Sequence, residues 1–325
     1  MFLINPVQIA AAVGLDLLFG DPRNWPHITK LTGWLSQSCE RLLTKRGKRT
    51  VTLGVVFWFS VVGTLLLFYV AIRRLCFLIG PGAVSILDTV IIYQTIAARD
   101  LHCHAEAVLK PLAARDPVEA RKRLSWLVGR DTQCLDEPEV VRGVIESIAE
   151  NLTDGIIAPL FWSVIGGAPG ALVYRAANTL DSVVGHRTEA YEEFGKASAR
   201  IDDCLSWVPA RVCGILFCFC ARKNFLATIR AEAAGHPSPN AGWGESAMAQ
   251  VLDVRLGGDN FYDGTLVRGP LFNRSGRQAG IADIHRSLNW MWGVTAAGTG
   301  FFLLAVFLIN KLDRNESGVH TRTAA

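Results

Sequence analysis

Three carboxylates at helical spacing are the residues of this sequence whose pattern points most directly to chemistry. Glu146, Glu150 and Asp154 stand four positions apart, so an uninterrupted helix would stack them on one face as the chain enters an apolar stretch. Like charges in such a stack repel unless a cation neutralises them, and Mg²⁺ typically takes one or two carboxylates together with substrate phosphates. The spacing predicts a polar, cation-dependent site. A solvated face paired with Arg130 or Arg142 is the alternative.

A second polar constellation lies farther along the chain, beside another apolar run. Arg175, Asn178 and Asp181 fall within two turns of a predicted helix, and Arg187 follows beyond a glycine. Arginine binds phosphate and carboxylate groups through two parallel hydrogen bonds, so this segment is predicted to bind an anionic substrate.

Two smaller acidic or basic groups have less specific patterns. Asp21 and His27 belong to a proline-rich turn near the N-terminus, for which a plain interfacial turn is the alternative. Asp202 and Asp203 are adjacent acids whose alternative role is helix capping or solvation. All four are predicted substrate contacts.

A loop rich in proline and glycine contributes further polar groups. Ser238, Asn240 and Glu245 lie in this loop and in the helix predicted to follow it. Gly257 and Gly258 then open another turn, where the backbone can approach a phosphate closely. Of these residues, Ser238 and Asn240 are predicted to contact substrate.

Familiar nucleotide and nucleophile motifs are missing from the sequence. It contains no Walker lysine motif, GxSxG elbow, HExxH motif or convincing dinucleotide fingerprint. The eight cysteines include no CxxC pair and fit reduced, packed thiols. The net charge of +4 is modest and the basic residues cluster beside apolar segments, so no nucleic-acid partner is expected.

Membrane helices must position these residues. The chain of 325 residues is 50% hydrophobic and 19% charged, which departs from an average soluble domain. Two segments, Val51–Ile72 and Leu288–Asn310, carry no charge over a length that can cross a hydrocarbon core of roughly 30 Å. Four further candidate segments are Pro6–Phe19, Leu75–Ala97, Gly155–Tyr174 and Val208–Cys220. We predict an all-α, polytopic integral membrane protein with four to six membrane segments.

Two hydrophilic regions, 99–151 and 221–287, are expected to carry the polar chemistry of a single integral membrane domain spanning 1–325. The first has helix-like spacing, and the second is predicted to be loop-dominated. The GGAPGA stretch at 166–171 is expected to break a helix or turn a re-entrant hairpin. If the basic cluster at 45–49 is cytoplasmic, both hydrophilic regions are cytoplasmic too. We therefore predict a multi-pass protein of the cell membrane whose active site faces the cytoplasm, although the basic tail does not fit this orientation.

Five polar segments, in this order and at ordinary separations, resemble the adenosylcobinamide-phosphate synthase family of cobalamin assembly. They read LDLLFGDPRNWPH, GRDTQCLDEPEVVRGVIESIAENLTDGIIAPLFW, YRAANTLDSVVGHR, FGKASARIDDCLSWVPAR and HPSPNAGWGESAMAQVLDVRLGG. Five co-linear motifs that run through most of the chain make the resemblance specific. One difference is Gly244, where the family pattern has a proline after the tryptophan, and we expect this glycine to loosen the turn.

The resemblance implies an ATP-dependent amide ligase. The family joins the propionate carboxylate at the f position of adenosylcobyric acid to (R)-1-amino-2-propanol or its O-phosphate, which gives adenosylcobinamide or its phosphate. The implied partners are the corrinoid, the aminopropanol compound, the lipid bilayer and later membrane enzymes of cobalamin assembly. ATP and Mg²⁺ are implied as co-substrate and ion, with no tightly bound prosthetic group.

The predicted residues then take roles in this reaction. Catalytic roles are assigned to Glu146, Glu150, Asn151, Asp154 and Asp181, with Mg²⁺ held by Glu150 and Asp154. Substrate or phosphate binding is assigned to Asp21, His27, Arg130, Asp131, Arg175, Asn178, Arg187, Asp202, Asp203, Ser238 and Asn240. A small-molecule transporter is one alternative, because intramembrane charges such as Asp16 and Asp88 can mark a translocation path. A noncatalytic membrane scaffold or sensor of the same fold is the other.

Overall fold

Helices make up most of the part of the chain that the structure describes. The computed structural model describes residues 5–22, 25–45, 47, 49–185 and 191–322, with side chains up to residue 312. The helices are α1 (Pro6–Phe19), α2 (Ile28–Leu43), α3 (Val51–Ile79), α4 (Pro81–Tyr93), α5 (Ala98–Ala113), α6 (Pro117–Leu124), α7 (Glu137–Leu152), α8 (Ala158–Val184), α9 (Lys196–Ala221), α10 (Leu226–Ala233), α11 (Ala241–Leu252) and α12 (Ile281–Arg322). A π-helical segment, Thr153–Ile157, joins α7 to α8.

Five of the described helical segments are long and apolar enough to cross a membrane. They are Val51–Ile79, Pro81–Ala113, Glu137–Val184, Lys196–Ala221 and Ile281–Leu312, whereas Pro6–Phe19 is apolar but shorter. Their number falls within the predicted four to six, so the all-α, polytopic membrane fold is confirmed.

A charge pair explains why the first span is longer than predicted. The expected end was Ile72, directly before Arg73, but α3 continues to Ile79. Arg73 Nε lies 3.4 Å from Asp88 Oδ1, and the Tyr69 hydroxyl donates to the same oxygen at 2.7 Å. Because Arg73 and Asp88 have each other as partners, the arginine need not leave the apolar segment.

The chain folds into two compact units. Unit 1 comprises Met1–Ile96, Ala158–Leu205 and Thr299–Ala325. Unit 2 comprises Ala97–Ile157 and Ser206–Gly298. Both predicted hydrophilic regions therefore belong to unit 2, while their membership in a single membrane domain stays a prediction.

The apolar core of unit 1 forms where α3 packs against α8. Phe57, Val61 and Leu65 of α3 lie in one buried cluster with Leu180 and Val184 of α8. Fully burying an apolar side chain of this size contributes about 1.5–3 kcal/mol, so this contact stabilises the unit.

The predicted break near 166–171 is present in unit 1. Gly167 has φ 62° and ψ −152°, a left-handed conformation that glycine adopts without a Cβ penalty, and it interrupts the helical geometry inside α8. Pro169 follows, and its ring nitrogen cannot donate a helical hydrogen bond. The break is thus confirmed, as an interruption inside α8.

Helix α7 of unit 2 is fixed at its start and closely packed near its end. The Asp136 side chain accepts from the Glu139 amide at 2.9 Å, and the Glu139 carboxylate accepts from the Asp136 amide at 2.8 Å, which forms a capping box. Near the other end, a Cβ added at Gly244 of α11 would lie 2.4 Å from the carbonyl oxygen of Ala149. The expectation that Gly244 loosens a turn is wrong, since it lies inside α11 at a close helix contact.

The second hydrophilic region contains more regular structure than the predicted loop. Besides α10 and α11 it has strands β1 (Leu256–Gly257), β2 (Asn260–Tyr262), β3 (Thr265–Val267) and β4 (Leu271–Phe272). Strand β1 pairs antiparallel with β4, and β2 pairs antiparallel with β3. Asp263 and Gly264 both have positive φ, which matches the tight hairpin turns that fit twisted strands. This β2–β3 hairpin escaped prediction because its strands are only three residues long.

Candidate functional site

A polar cavity of about 250 Å³ lies within unit 2. Its lining includes Arg130 from the loop before α7, Glu146 and Glu150 from α7, Glu245 from α11, and Tyr262 from the β2–β3 hairpin. Both hydrophilic regions contribute to one cavity, so residues more than a hundred positions apart meet there. Of the predicted site residues, only Arg130, Glu146 and Glu150 line it.

Arg130 is buried, and part of its guanidinium has no partner. Its Nη1 donates to Glu146 Oε2 at 2.7 Å and to Asn260 Oδ1 at 2.6 Å, and only 5% of the side chain is exposed. Its Nε and Nη2 are buried without a hydrogen-bond partner among the described residues. A buried, unsatisfied donor costs about 1–3 kcal/mol, more for a charged group. The oxygens of a phosphate or carboxylate ligand would satisfy these two donors.

Glu146 holds the strands beside the cavity against α7. Its Oε2 accepts from Arg130, and its Oε1 accepts from the Gly257 amide at 2.8 Å. Arg142, one turn earlier on α7, donates to the Gly257 carbonyl and to Asn260 Oδ1 at 2.9 Å. Glu146 therefore pairs with Arg130 and Arg142, as the alternative to a cation site supposed. Its catalytic role stays a prediction.

Of the other predicted catalytic residues on this stretch, Glu150 lines the cavity, whereas Asn151 and Asp154 do not. Glu150 lies on the exposed side of the cavity lining, and Asn151 donates from Nδ2 to the Ser147 carbonyl at 2.9 Å. Asp154 belongs to the π-helical segment and does not line the cavity. The predicted stack requires one continuous α-helix. A π turn spaces residues differently, so Asp154 does not follow Glu150 as the next member of an α-helical row.

Metal-binding geometry is limited in the part of the chain that the structure describes. No group of three or more His, Cys, Asp and Glu side chains is placed to hold a metal ion among these residues. Mg²⁺ often needs only one or two carboxylates besides substrate phosphates. The assignment of Mg²⁺ to Glu150 and Asp154 stays a prediction.

Glu245 is a carboxylate of this cavity that helical spacing did not reveal. It is 8% exposed and lies near the start of α11. Burial raises the pKa of its carboxyl well above the usual range, and the negative charges of Glu146 and Glu150 add to this rise. The pKa-lowering effect of Arg130 and Arg142 is smaller. A sequence signal existed, because Glu245 is the one charged residue in a helix of small and apolar residues.

His236 also lines the cavity, and its ring shapes the turn before α11. Its Nδ1 accepts from the Ser238 amide at 3.0 Å. Burial lowers the pKa of His236, although a backbone hydrogen bond at Ser238 and the charge of Glu146 counteract this. The imidazole is therefore a weaker base than a solvated histidine.

Three residues of unit 2 that were predicted to contact substrate do not line the cavity. Their side chains form hydrogen bonds with the backbone or with another side chain. Asp131 Oδ2 accepts from the Gly264 amide at 2.8 Å and so fixes the tip of the β2–β3 hairpin. Ser238 Oγ accepts from the Ala241 amide at 3.3 Å, at the start of α11. Asn240 Oδ1 accepts from Arg211 at 2.8 Å. The substrate contacts of these three residues stay predictions.

The other predicted residues lie in unit 1. Asp21 Oδ1 is 3.2 Å from His27 Nε2, and His27 caps α2 by accepting from the Thr29 amide at 3.3 Å. Arg175, Asn178 and Asp181 lie on α8, and Asp202 and Asp203 lie on α9. Arg187 lies outside the described residues. The substrate and catalytic roles of this group stay predictions.

Comparison with known proteins decides the family. The model of the CobD/Cbib protein family matches residues 9–291. The chain belongs to the CobD/Cbib family. Similar relatives include the cobalamin biosynthesis protein CobD of Halalkalibacterium halodurans, 44% identical over 271 residues, which cover 81% of this chain and 85% of the relative. CobD of Rhodobacter capsulatus is 40% identical over 287 residues, 86% of this chain and 91% of the relative. CbiB of Salmonella paratyphi B is 37% identical over 300 residues, 90% of this chain and 94% of the relative.

Membership of the CobD/Cbib family assigns the chain to cobalamin biosynthesis. It confirms the family resemblance found from the five polar motifs. The five apolar helices agree with a multi-pass membrane member of this family. No solved structure matches the chain.

Proposed function

We propose that this CobD/Cbib protein is an ATP-dependent amide ligase. It joins the f-position propionate of adenosylcobyric acid to (R)-1-amino-2-propanol or its O-phosphate. Family membership supports the pathway, and the chemistry of the polar cavity supports the reaction type.

The buried guanidinium of Arg130 is the observation that supports this reaction type most directly. Its Nε and Nη2 are desolvated and have no partner among the described residues, so a ligand that brings anionic oxygens to them would gain up to two charge-assisted hydrogen bonds. An amide ligase handles such oxygens at each stage, since it binds a carboxylate, an acyl phosphate and released phosphate. The donor set of the cavity therefore fits this chemistry.

ATP supplies the activation that a carboxylate needs before an amine can attack it. Transfer of the terminal phosphoryl group gives an acyl phosphate, and Mg²⁺ bound with the nucleotide neutralises phosphate oxygens. Arg130 would orient the acyl phosphate, and Glu146 keeps the guanidinium in place through its 2.7 Å contact. The residues present thus fit a phosphate group.

The size of the cavity supports binding of the reacting groups there rather than of the whole corrinoid. Pockets that enclose drug-sized ligands measure about 300–1,000 Å³, and this cavity measures about 250 Å³. It suits the aminopropanol compound or the phosphate with the end of the propionate arm. The corrin ring is then held outside the cavity.

The proposal is tested by a condensation assay. Purified full-length protein in detergent is mixed with adenosylcobyric acid, aminopropanol or its phosphate, and Mg-ATP, and product mass is followed. We expect an ATP-dependent mass gain that matches amide formation. Arg130→Lys keeps the charge but loses the guanidinium fork, and should reduce the rate by about tenfold or more.

The matched control is Arg123→Lys, because Arg123 forms a half-exposed ion pair with Glu119 on α6 and does not line the cavity. It should keep the wild-type rate. No product from well-folded wild-type protein would contradict the ligase and favour the scaffold or transporter. The transporter alternative was based partly on Asp88. The ion pair of Asp88 with Arg73 offers a structural explanation for this intramembrane charge.

A further inference from the structure

We infer that Glu245 is the proton acceptor that prepares the amine for attack on the activated carboxyl group. This inference rests on the proposed ligase function and names a catalytic residue within the same cavity. The amine substrate carries a proton at neutral pH, as the lysine side chain does, and an ammonium nitrogen has no lone pair for attack. A ligase of this kind needs a base.

The cavity places Glu245 where a substrate amine can reach it. Glu245 lines the cavity from α11, and the residue is 8% exposed. Among the described residues its carboxylate accepts no hydrogen bond, whereas the oxygens of Glu146 accept from Arg130 and from the Gly257 amide. The unpaired Nε and Nη2 of Arg130 independently mark this cavity as a ligand site. The amine therefore has a buried carboxylate available beside the anion-binding donors of Arg130.

The electrostatics of the cavity suit a base. The buried carboxyl of Glu245 holds a proton more strongly than a solvated carboxyl, because burial and the charges of Glu146 and Glu150 raise its pKa. An ammonium group would add positive charge beside Glu245, to which the nearby Arg130 and Arg142 already contribute. The other charged and titratable groups in the lining are Arg130, Arg268, His236 and Tyr262, and Arg142 acts from α7.

The competing bases fit less well. His236 has its pKa lowered by burial, and its Nδ1 accepts from the Ser238 amide. Glu150 is exposed to solvent, so water competes with the amine for its carboxylate oxygens. Glu245 combines burial with open carboxylate oxygens.

The proton and bond changes balance. The ammonium group transfers one proton to the Glu245 carboxylate and becomes a neutral amine. Its lone pair forms the C–N bond at the acyl phosphate carbon, and the C–O bond to phosphate breaks. The second amine proton leaves with the departing phosphate, and Glu245 returns its proton to solvent. The co-reactant is ATP, which is consumed to ADP when the acyl phosphate forms.

Changing the nucleophile tests the role of Glu245 as a base separately from the formation of the acyl phosphate. Hydroxylamine is a much weaker base than an alkylamine and is largely unprotonated at neutral pH, so it needs no protein base to attack an acyl phosphate. Full-length wild-type protein, Glu245→Gln and Glu245→Asp are each given adenosylcobyric acid and Mg-ATP. Aminopropanol phosphate or hydroxylamine is then added, and the amide and the hydroxamate are measured by mass. Glu119→Gln on the exposed face of α6 is the matched control.

We expect Glu245→Gln to lose amide formation by about 10²–10⁴-fold, the usual contribution of acid–base catalysis, while hydroxamate formation stays near wild type. Glu245→Asp should recover part of the amide rate, and Glu119→Gln should match wild type in both. Unchanged amide formation in Glu245→Gln would overturn the inference. Equal loss of both products in Glu245→Gln, with no selective recovery in Glu245→Asp, would overturn it too. Absence of both products in wild type would instead overturn the ligase function, and the base role with it.

Discussion

At the scale of single residues, the guanidinium of Arg130 is only partly paired. Its Nη1 neutralises Glu146 in a buried ion pair, and its Nε and Nη2 are buried without a hydrogen-bond partner among the described residues. Removing one partner of a buried pair leaves the other charge desolvated, which is far more costly than losing an exposed pair. A substitution at Arg130 is therefore expected to affect stability as well as the proposed binding of an anionic ligand.

Arg130→Ala is expected to lower the free energy of unfolding by about 3 kcal/mol. In this variant Glu146 keeps the hydrogen bond from the Gly257 amide but loses its closest cation. The remaining cation, Arg142, lies 3.8 Å from the Glu146 carboxylate. Chemical denaturation in detergent measures the effect. Arg123→Ala, which removes a half-exposed ion pair, should cost less than about 1 kcal/mol. Equal losses in the two variants would contradict a special role of the buried pair.

The pH dependence of stability should report the Glu245 carboxyl. Its pKa is raised in the folded protein, so the folded state holds this proton more tightly than the unfolded state. Its contribution to the free energy of unfolding is therefore largest below its ordinary pKa of 4.5 and is lost as pH rises through the raised pKa.

Glu245→Gln should remove this decrease, so the variant becomes more stable relative to wild type as pH rises from about 5 to 8. Denaturation midpoints across this range measure the difference. Glu119→Gln on α6 is the matched control for the loss of one carboxylate, since Glu119 does not line the cavity. Parallel curves for wild type and Glu245→Gln would show that the Glu245 pKa is not raised.

At the scale of elements, the contact of α7 with α11 brings the carboxylates of the cavity together. Glu146 and Glu150 come from α7, and Glu245 follows Gly244 on α11. The missing side chain of Gly244 lets α11 approach the backbone of α7 at Ala149. The helix spacing thus sets where the Glu245 carboxylate stands in the cavity.

Gly244→Ala should push these helices apart. The added Cβ would lie 2.4 Å from the Ala149 carbonyl oxygen, a contact that backbone movement must relieve. Overpacking of this kind costs about 1–3 kcal/mol, and we expect a lower denaturation midpoint together with reduced condensation activity. Gly293→Ala on α12 is the control, since a Cβ there meets nothing within 4 Å. A wild-type midpoint in Gly244→Ala would contradict the close helix contact.

At the scale of the whole molecule, the five candidate spans lead to an expected membrane topology. Two of them, Glu137–Val184 and Lys196–Ala221, lie between Cys134 and the second hydrophilic region. If both cross the membrane, Cys134 and that region share one side. If the last candidate, Ile281–Leu312, also crosses, the tail lies on the other side.

Labelling of single cysteines should show this topology. In a background without other cysteines, Cys134 and a Ser275→Cys variant should react with a membrane-impermeant maleimide from the same side of sealed vesicles, predicted to be the cytoplasmic side. Both positions are exposed. A protease-sensitive tag at the C-terminus should be accessible from the opposite side. Labelling of Cys134 and the variant from opposite sides would rule out five complete crossings.

The sequence by itself determined the membrane class, a range of four to six spans that includes the five candidates found, the family, and the pair Glu146–Glu150. These features are local, because hydropathy acts over one helix and the four-residue spacing acts over one turn. Asp154 lies in the π-helical segment after α7 and does not line the cavity, and its catalytic role stays a prediction. Sequence pattern also predicted substrate roles for Asp131, Ser238 and Asn240, whose side chains hold backbone or another side chain.

Only the tertiary structure decided the polar cavity. Arg130 and Asn260 are 130 positions apart and meet through a 2.6 Å hydrogen bond, and Glu245 reaches the same cavity from another helix. The unpaired donors of Arg130 and the raised pKa of Glu245 follow from burial. Burial depends on which distant segments pack around a side chain, and sequence spacing carries no record of that packing.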